Sequence, residues 1–293
     1  MLKHRISPQN KNVTLVFCRK TYLSQTIKPA MKRRSFVKST LLTGVTATVL
    51  PAMSKATETS PKAAEYYELR VYNLKNSEQQ KLVEDFLKDT AIPAFNRLGV
   101  KHVGVFTEMK PEGQTRLFVL VQFNSLAHFA TVTDSFAGDA ELQVKGAAYL
   151  NAPAAAPAYE RIESSLLKAF VHMPHLEAPE NKARIFELRQ YQSATEAAGK
   201  KKIEMFNDEG EIDVFKRLGF KPVFWGETVI GSQRPNLTYM ITFDDLDAKN
   251  AHWKAFGSDP QWKKISAMPE YADALLVSKI TSTILVPTTY SQI

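Results

Sequence analysis

The residues from which chemistry could be built sit in two short, similar blocks. Tyr67-Glu68-Leu69-Arg70-Val71-Tyr72 and Phe186-Glu187-Leu188-Arg189-Gln190-Tyr191 each set a carboxylate, a guanidinium and a phenol at alternate positions, which an extended strand carries on one face. A guanidinium is a planar fork suited to carboxylates and other polar ligand ends. Arg70, Tyr72, Arg189 and Tyr191 are therefore candidate ligand-binding residues. Glu68 and Glu187 are candidate proton acceptors, their pKa set by burial against arginine. The same row serves first as packing: Glu68 pairing with Arg70, or with Arg189 across a pseudo-dyad, satisfies buried charge without any ligand. Trp225 joins the candidate list because Val105 stands at the matching place earlier in the chain, so two half-pockets built on these positions are unequal.

Other chemistry is thinly represented. The histidines form no ligand set: His102 is matched by Pro222, His128 and His252 read as helix-packing residues, and His172 and His175 lie in a connecting segment. No metal site and no bound cofactor is expected; haem is the one group that His102, His128 or His252 would serve. There is no phosphate-binding glycine loop, no nucleophile elbow and no His-Glu-x-x-His helix. The single cysteine, Cys18, excludes a disulfide framework and any multi-cysteine zinc cluster.

An internal repeat positions these residues. The blocks above are offset by 119; Phe95-Asn-Arg-Leu-Gly-Val-Lys101 returns as Phe215-Lys-Arg-Leu-Gly-Phe-Lys221, and Leu117 to Phe123 returns as Leu237 to Phe243, both offset by 120. Repeats of this kind mark duplicated domains. Within the first copy, alternation over 65–72 predicts a strand, Ser77 to Leu98 a helix ending at Gly99, 100–108 and 115–123 a hairpin, a second helix after Ser125, and a final strand over 159–169. The order β-α-β-β-α-β is that of an α+β, ferredoxin-like unit with both helices on one face. Its bare face must be covered, and two such units in one chain can press their open faces into an intramolecular barrel. A second chain is then allowed but not required. Placing the apolar set Tyr67, Leu69 and Val71 against the helices leaves the Glu-Arg-Tyr row pointing into the barrel lumen.

The Tyr-Glu-Leu-Arg-Val-Tyr block, the Arg-Leu-Gly block and the aromatic-ended third strand resemble the NIPSNAP family of the dimeric α/β barrel superfamily, in both copies. The resemblance implies the fold but no single reaction, since the superfamily holds cofactor-independent monooxygenases, haem-handling proteins and plain binding or assembly modules. The expected function is binding of a small, partly apolar ligand in the lumen. The alternatives are a monooxygenase- or isomerase-like enzyme and a non-enzymatic interaction module.

The first 56 residues read as an address. Arg33-Arg34-Ser35-Phe36-Val37-Lys38 precedes an uncharged run from Ser39 to Pro51 and resembles a twin-arginine export signal, with Met31 the expected initiator and an extracytoplasmic or periplasmic destination. The run falls short of the ~20 residues that span a bilayer, so no stable anchor is expected. All of the net charge of +8 is local: residues 1–56 hold eleven Lys and Arg and no acid, leaving 27 basic against 30 acidic residues afterwards. The body gives no electrostatic case for nucleic acid. The expected organisation is a leader over 1–56, domains over 62–172 and 183–293, and a linker over 173–182.

Overall fold

A computed structural model describes residues 63–293; the twin-arginine segment and Met31 lie outside the described residues. The first copy comprises β1 (Tyr66–Leu74), α1 (Ser77–Phe86), α2 (Ile92–Arg97), β2 (Val103–Glu108), β3 (Thr115–Phe123), α3 (Leu126–Gly138), α4 (Ala140–Lys145), α5 (Ala147–Leu150) and β4 (Arg161–Ala169). The second comprises β5 (Ile185–Gln192), α6 (Glu196–Asn207), α7 (Glu211–Arg217), β6 (Lys221–Ile230), β7 (Asn236–Phe243), α8 (Leu246–Ser258), α9 (Pro260–Ser266), α10 (Asp273–Leu276) and β8 (Lys279–Pro287).

Local chemistry explains the helix starts. Asn76 caps α1 by accepting from the Gln79 amide, and Thr195, Ser125 and Asp245 cap α6, α3 and α8 in the same way, as short oxygen-bearing side chains do. The predicted Ser77–Leu98 helix is interrupted: Leu87–Ala91 forms a π-helical turn between α1 and α2. In the second copy the corresponding stretch breaks outright at Gly210, whose φ of 85° suits glycine. A new helix, α7, then starts at Glu211.

The strands close into one antiparallel barrel in the order β1-β3-β2-β8-β5-β7-β6-β4. Each copy contributes a four-stranded ferredoxin-like sheet, and the seams are β2 with β8 and β4 with β6. Residues after β8 extend the first seam, where the Thr288 and Gln292 amides donate to the Val105 and Val103 carbonyls.

Three cores result. Tyr67, Leu69, Phe106, Phe118, Leu120, Phe186, Leu188, Phe224 and Met240 fill the lumen. Here Tyr67 meets Phe224, and Phe106 meets Phe186, from opposite copies. The other two cores lie outside the barrel, between each sheet and its own helices. This reverses the face assignment made from alternation. Tyr67, Leu69 and Val71 point into the barrel, while the Glu-Arg-Tyr row points toward the helices. The physical reason is enclosure. An eight-stranded barrel is just wide enough for side chains to fill, whereas the helix layer supplies hydroxyls and aromatic rings that can satisfy charge.

Candidate functional site

All the site residues read from the sequence therefore lie in the two helix layers, none in the lumen. In the first copy, Arg70 donates to Glu68 at 2.7 Å, Ser164 donates to the other Glu68 oxygen at 2.7 Å, and the guanidinium lies over Phe95 of α2. Tyr72 is within 3.4 Å of the Tyr149 hydroxyl on α5. Burial pushes the Glu68 carboxyl up, but the Arg70 hydrogen bond and charge outweigh it and hold it low. The group is a satisfied ion pair.

The second copy repeats this arrangement and adds to it. Ser282 donates to Glu187 at 2.7 Å, Arg189 to the same carboxylate at 2.9 Å, and Trp253 of α8 to its other oxygen at 2.6 Å. Arg189 also donates to the Tyr191 hydroxyl at 3.0 Å, which meets the Tyr239 hydroxyl at 3.1 Å. Its guanidinium stacks over Trp253. Trp225, fully buried, stacks on Tyr239, and its indole nitrogen has no partner among the described residues.

Two residues not singled out from the sequence complete the cluster. Lys202 of α6 and Glu211 of α7 are each 3% exposed and lie 3.6 Å apart. Lys202 also reaches the solvent-exposed Asp273 at 3.5 Å. One Glu211 oxygen has no hydrogen-bond partner among the described residues. Burial raises the Glu211 carboxyl to about 7, against the opposing pull of Lys202. Burial works against the Lys202 ammonium, yet Glu211 and Asp273 hold its pKa up. The signal was present in the repeat. At matching positions the first copy has Val83, Ala91, Val119 and Thr133 where the second has Lys202, Glu211, Tyr239 and Trp253. A substitution from apolar to ionisable on a core-facing helix position marks the copy that has acquired a polar interior.

The cluster reaches the surface at one end. A groove of about 330 Å³ between the β2–β3 turn and the second copy's edge is lined by Met109, Arg116, Leu246, Ser282 and Ile284. Ser282 is exposed there, so the Glu187 carboxylate is one hydroxyl from solvent. The histidines stay apart: His128 bonds the Leu98 carbonyl, His252 bonds that of Ala248, and each imidazole packs on the glycine ending the first helical segment, Gly99 or Gly219. Among the described residues no three His, Cys, Asp or Glu side chains converge on a point that could hold a metal.

The family model for NIPSNAP matches residues 67–172 and again 186–292. The chain belongs to the NIPSNAP family. Among solved structures, this NIPSNAP protein is similar to a monooxygenase-like protein from Fusobacterium nucleatum, at 11% identity and a TM-score of 0.52 over 77% of this chain and 93% of that one. It is equally similar to one from Lactobacillus acidophilus, at 11% identity and 0.52 over 78% and 98%. A NIPSNAP protein from Agrobacterium tumefaciens matches at 19% identity and a TM-score of 0.34, over 40% of this chain and 97% of that one. No match was found among curated proteins. The family match and the likenesses to the Fusobacterium and Lactobacillus proteins carry the fold, a dimeric α/β barrel built here within one chain.

Glu211 makes the stability of this NIPSNAP protein pH-dependent. Its folded pKa lies above the ordinary carboxylate value of 4.5, so the folded state binds the proton more tightly than the unfolded chain. The associated stability is present below pH 4.5 and is lost as pH rises through about 7. Urea unfolding of the wild type is expected to weaken by about 2–3 kcal/mol between pH 5 and 8. In Glu211→Gln that slope should disappear; an unchanged slope would place the titrating group elsewhere.

Proposed function

We propose that this is an exported protein that binds a small, partly apolar molecule through its second NIPSNAP copy, in the layer between helices and barrel rather than in the packed centre of the lumen. The observation that carries the reading is the buried Lys202–Glu211 pair, whose Glu211 oxygen faces the ammonium at 3.6 Å without a hydrogen bond, in a polar cluster that the first copy lacks. Native proteins seldom leave such groups without a reason. A ligand entering by the groove at Ser282 would meet Ser282 and Glu187 first, with Arg189, Tyr191 and the Trp253 indole behind them.

Glu211 favours a second reading, an enzyme of the cofactor-independent monooxygenase or isomerase sort. A carboxyl that titrates near neutrality suits proton transfer at physiological pH. Arg189 with Tyr191 and Tyr239 could stabilise the oxyanion left on an enol or phenol. Quenching of tryptophan fluorescence by a panel of phenols and enolisable ketones tests both readings. Saturable quenching is expected, weakened at least about tenfold by Arg189→Lys but not by the matching first-copy change Arg70→Lys. Equal effects of the two changes would remove the special role of the second copy. Turnover of a bound compound, lost in Glu211→Gln, would favour the enzyme.

Export is proposed from Arg33 and Arg34. Precursor carrying Arg33→Lys and Arg34→Lys is expected to stay in the cytoplasm, and normal export of that variant would overturn the assignment.

A further inference from the structure

The lumen is filled at its centre but not at one end. Register places its side chains in layers across the strands. Leu69 and Leu188 pair with Ser165 and Thr283, and the next layer outward holds Val71, Gln190, Glu163 and Thr281. Phe118 and Thr238 lie in that same outer layer. Together these residues bound a cavity of about 430 Å³ whose rim includes Arg116, Ser232, Gln233 and Lys279. That volume lies within the range of ordinary small-molecule sites.

The chemistry of the walls is specific. Arg116 is committed to Glu108 through two hydrogen bonds, and Glu163 accepts from Asn73. With Arg116 so paired, the remaining lining charges are Glu163 and Lys279, one of each sign. The cavity therefore offers no net charge to an ion. What it does offer is a ring of neutral hydrogen-bonding groups. Among the described residues the hydroxyls of Thr281 and Thr283 have no partner, and Gln190 accepts a single bond, from Gln192. The β6–β7 hairpin roofs this end. Its Gly231, with φ of 150°, sits so close over Ser165 that any Cβ would collide with that hydroxyl. The walls also differ between copies, Val71, Phe118 and Glu163 on one side facing Gln190, Thr238 and Thr281 on the other. A ligand seated there has one flank led by Val71 and Phe118, with Glu163 at its edge, and one hydrogen-bonding flank.

We propose that the barrel mouth is a binding site for a neutral, hydroxyl-rich small molecule of mono- to disaccharide size. It is separate from the helix-layer cluster, because Leu188 and Gln190 leave β5 on the opposite face from Glu187, Arg189 and Tyr191. The site holds its ligand through Thr281, Thr283, Gln190 and Ser165, with Val71 and the leucine floor against the ligand's C–H face.

Saturation-transfer NMR on the full chain, with maltose and glucose at millimolar concentration as probes, glycine betaine as a zwitterionic comparator and octanoate as an anionic one, tests this. The expected result is transfer to a sugar. Its affinity should fall at least about tenfold in Thr281→Val/Thr283→Val, which keeps side-chain shape and β-propensity, and vanish in Gln190→Trp, which fills the cavity. The same affinity is expected to survive Arg189→Lys, which separates this site from the helix-layer reading. Binding of betaine or octanoate in preference to both sugars would overturn the proposal. So would sugar binding indifferent to the threonine and tryptophan changes in variants with wild-type melting temperatures, or no sugar binding at all.

Discussion

Replacing Lys202 by Met is expected to destabilise the NIPSNAP protein by about 1–3 kcal/mol at pH 8, because Glu211, without the cation that pulls its pKa down, must take up a proton to stay buried. At pH 5 the same change should be neutral or stabilising, because Glu211 is then protonated and the substitution merely removes a buried ammonium. Such a reversal of sign with pH is not produced by lost packing, which acts at every pH. The double variant Lys202→Met/Glu211→Leu restores the apolar character that Val83 and Ala91 give the first copy. Replacing a buried ion pair by hydrophobic residues of similar volume is often neutral or stabilising by about 1–4 kcal/mol. Urea unfolding of the three proteins at both pH values separates these outcomes. A pair that the fold can lose without harm is retained for some other purpose. A double variant less stable than Lys202→Met at pH 8 would instead make the pair part of the scaffold and weaken the binding-site reading.

Phe186→Ala is expected to lower stability by about 3–5 kcal/mol, at every pH between 5 and 8. Phe186 is fully buried in the lumen and packs edge-on against Phe106 of the other copy. Its removal leaves a cavity lined by strands from both halves, with no helix able to collapse into it. The loss should appear as one cooperative transition, since the lumen core belongs to neither copy alone. A loss below about 1 kcal/mol would mean that the centre of the barrel has room to spare, and would return the lumen's middle to consideration as a ligand chamber.

Much of this architecture could be read from the chain. The repeat offsets of 119 and 120 reappear in matched strand registers, Arg70 opposite Val119 and Arg189 opposite Tyr239. The β-α-β-β-α-β order in each copy and the closure of two units into one barrel followed from periodicity and the need to cover a bare sheet face. The chemistry of the row was also legible, since a carboxylate two residues from an arginine on one strand can pair locally, and Glu68 with Arg70 does so at 2.7 Å.

Which way that row faces was not legible. Alternation separates two faces of a strand but ranks them only when one face meets water. Here both sides of β1 and β5 are covered, one by helices and one by the opposite sheet, and apolar residues occur on both. The packed centre of the lumen excludes charge and the helix layer can satisfy it, a difference that exists only once the barrel has closed. Lys202 and Glu211 were hidden for the same reason. On an amphipathic helix a lysine or glutamate ordinarily faces solvent, and the break at Gly210 is what turns Glu211 inward, toward Lys202. The sequence by itself determined the duplication, the strand order and the residue types available for chemistry. Only the tertiary structure decided where they act, because burial and dielectric environment are properties of the closed assembly and not of any strand or helix alone.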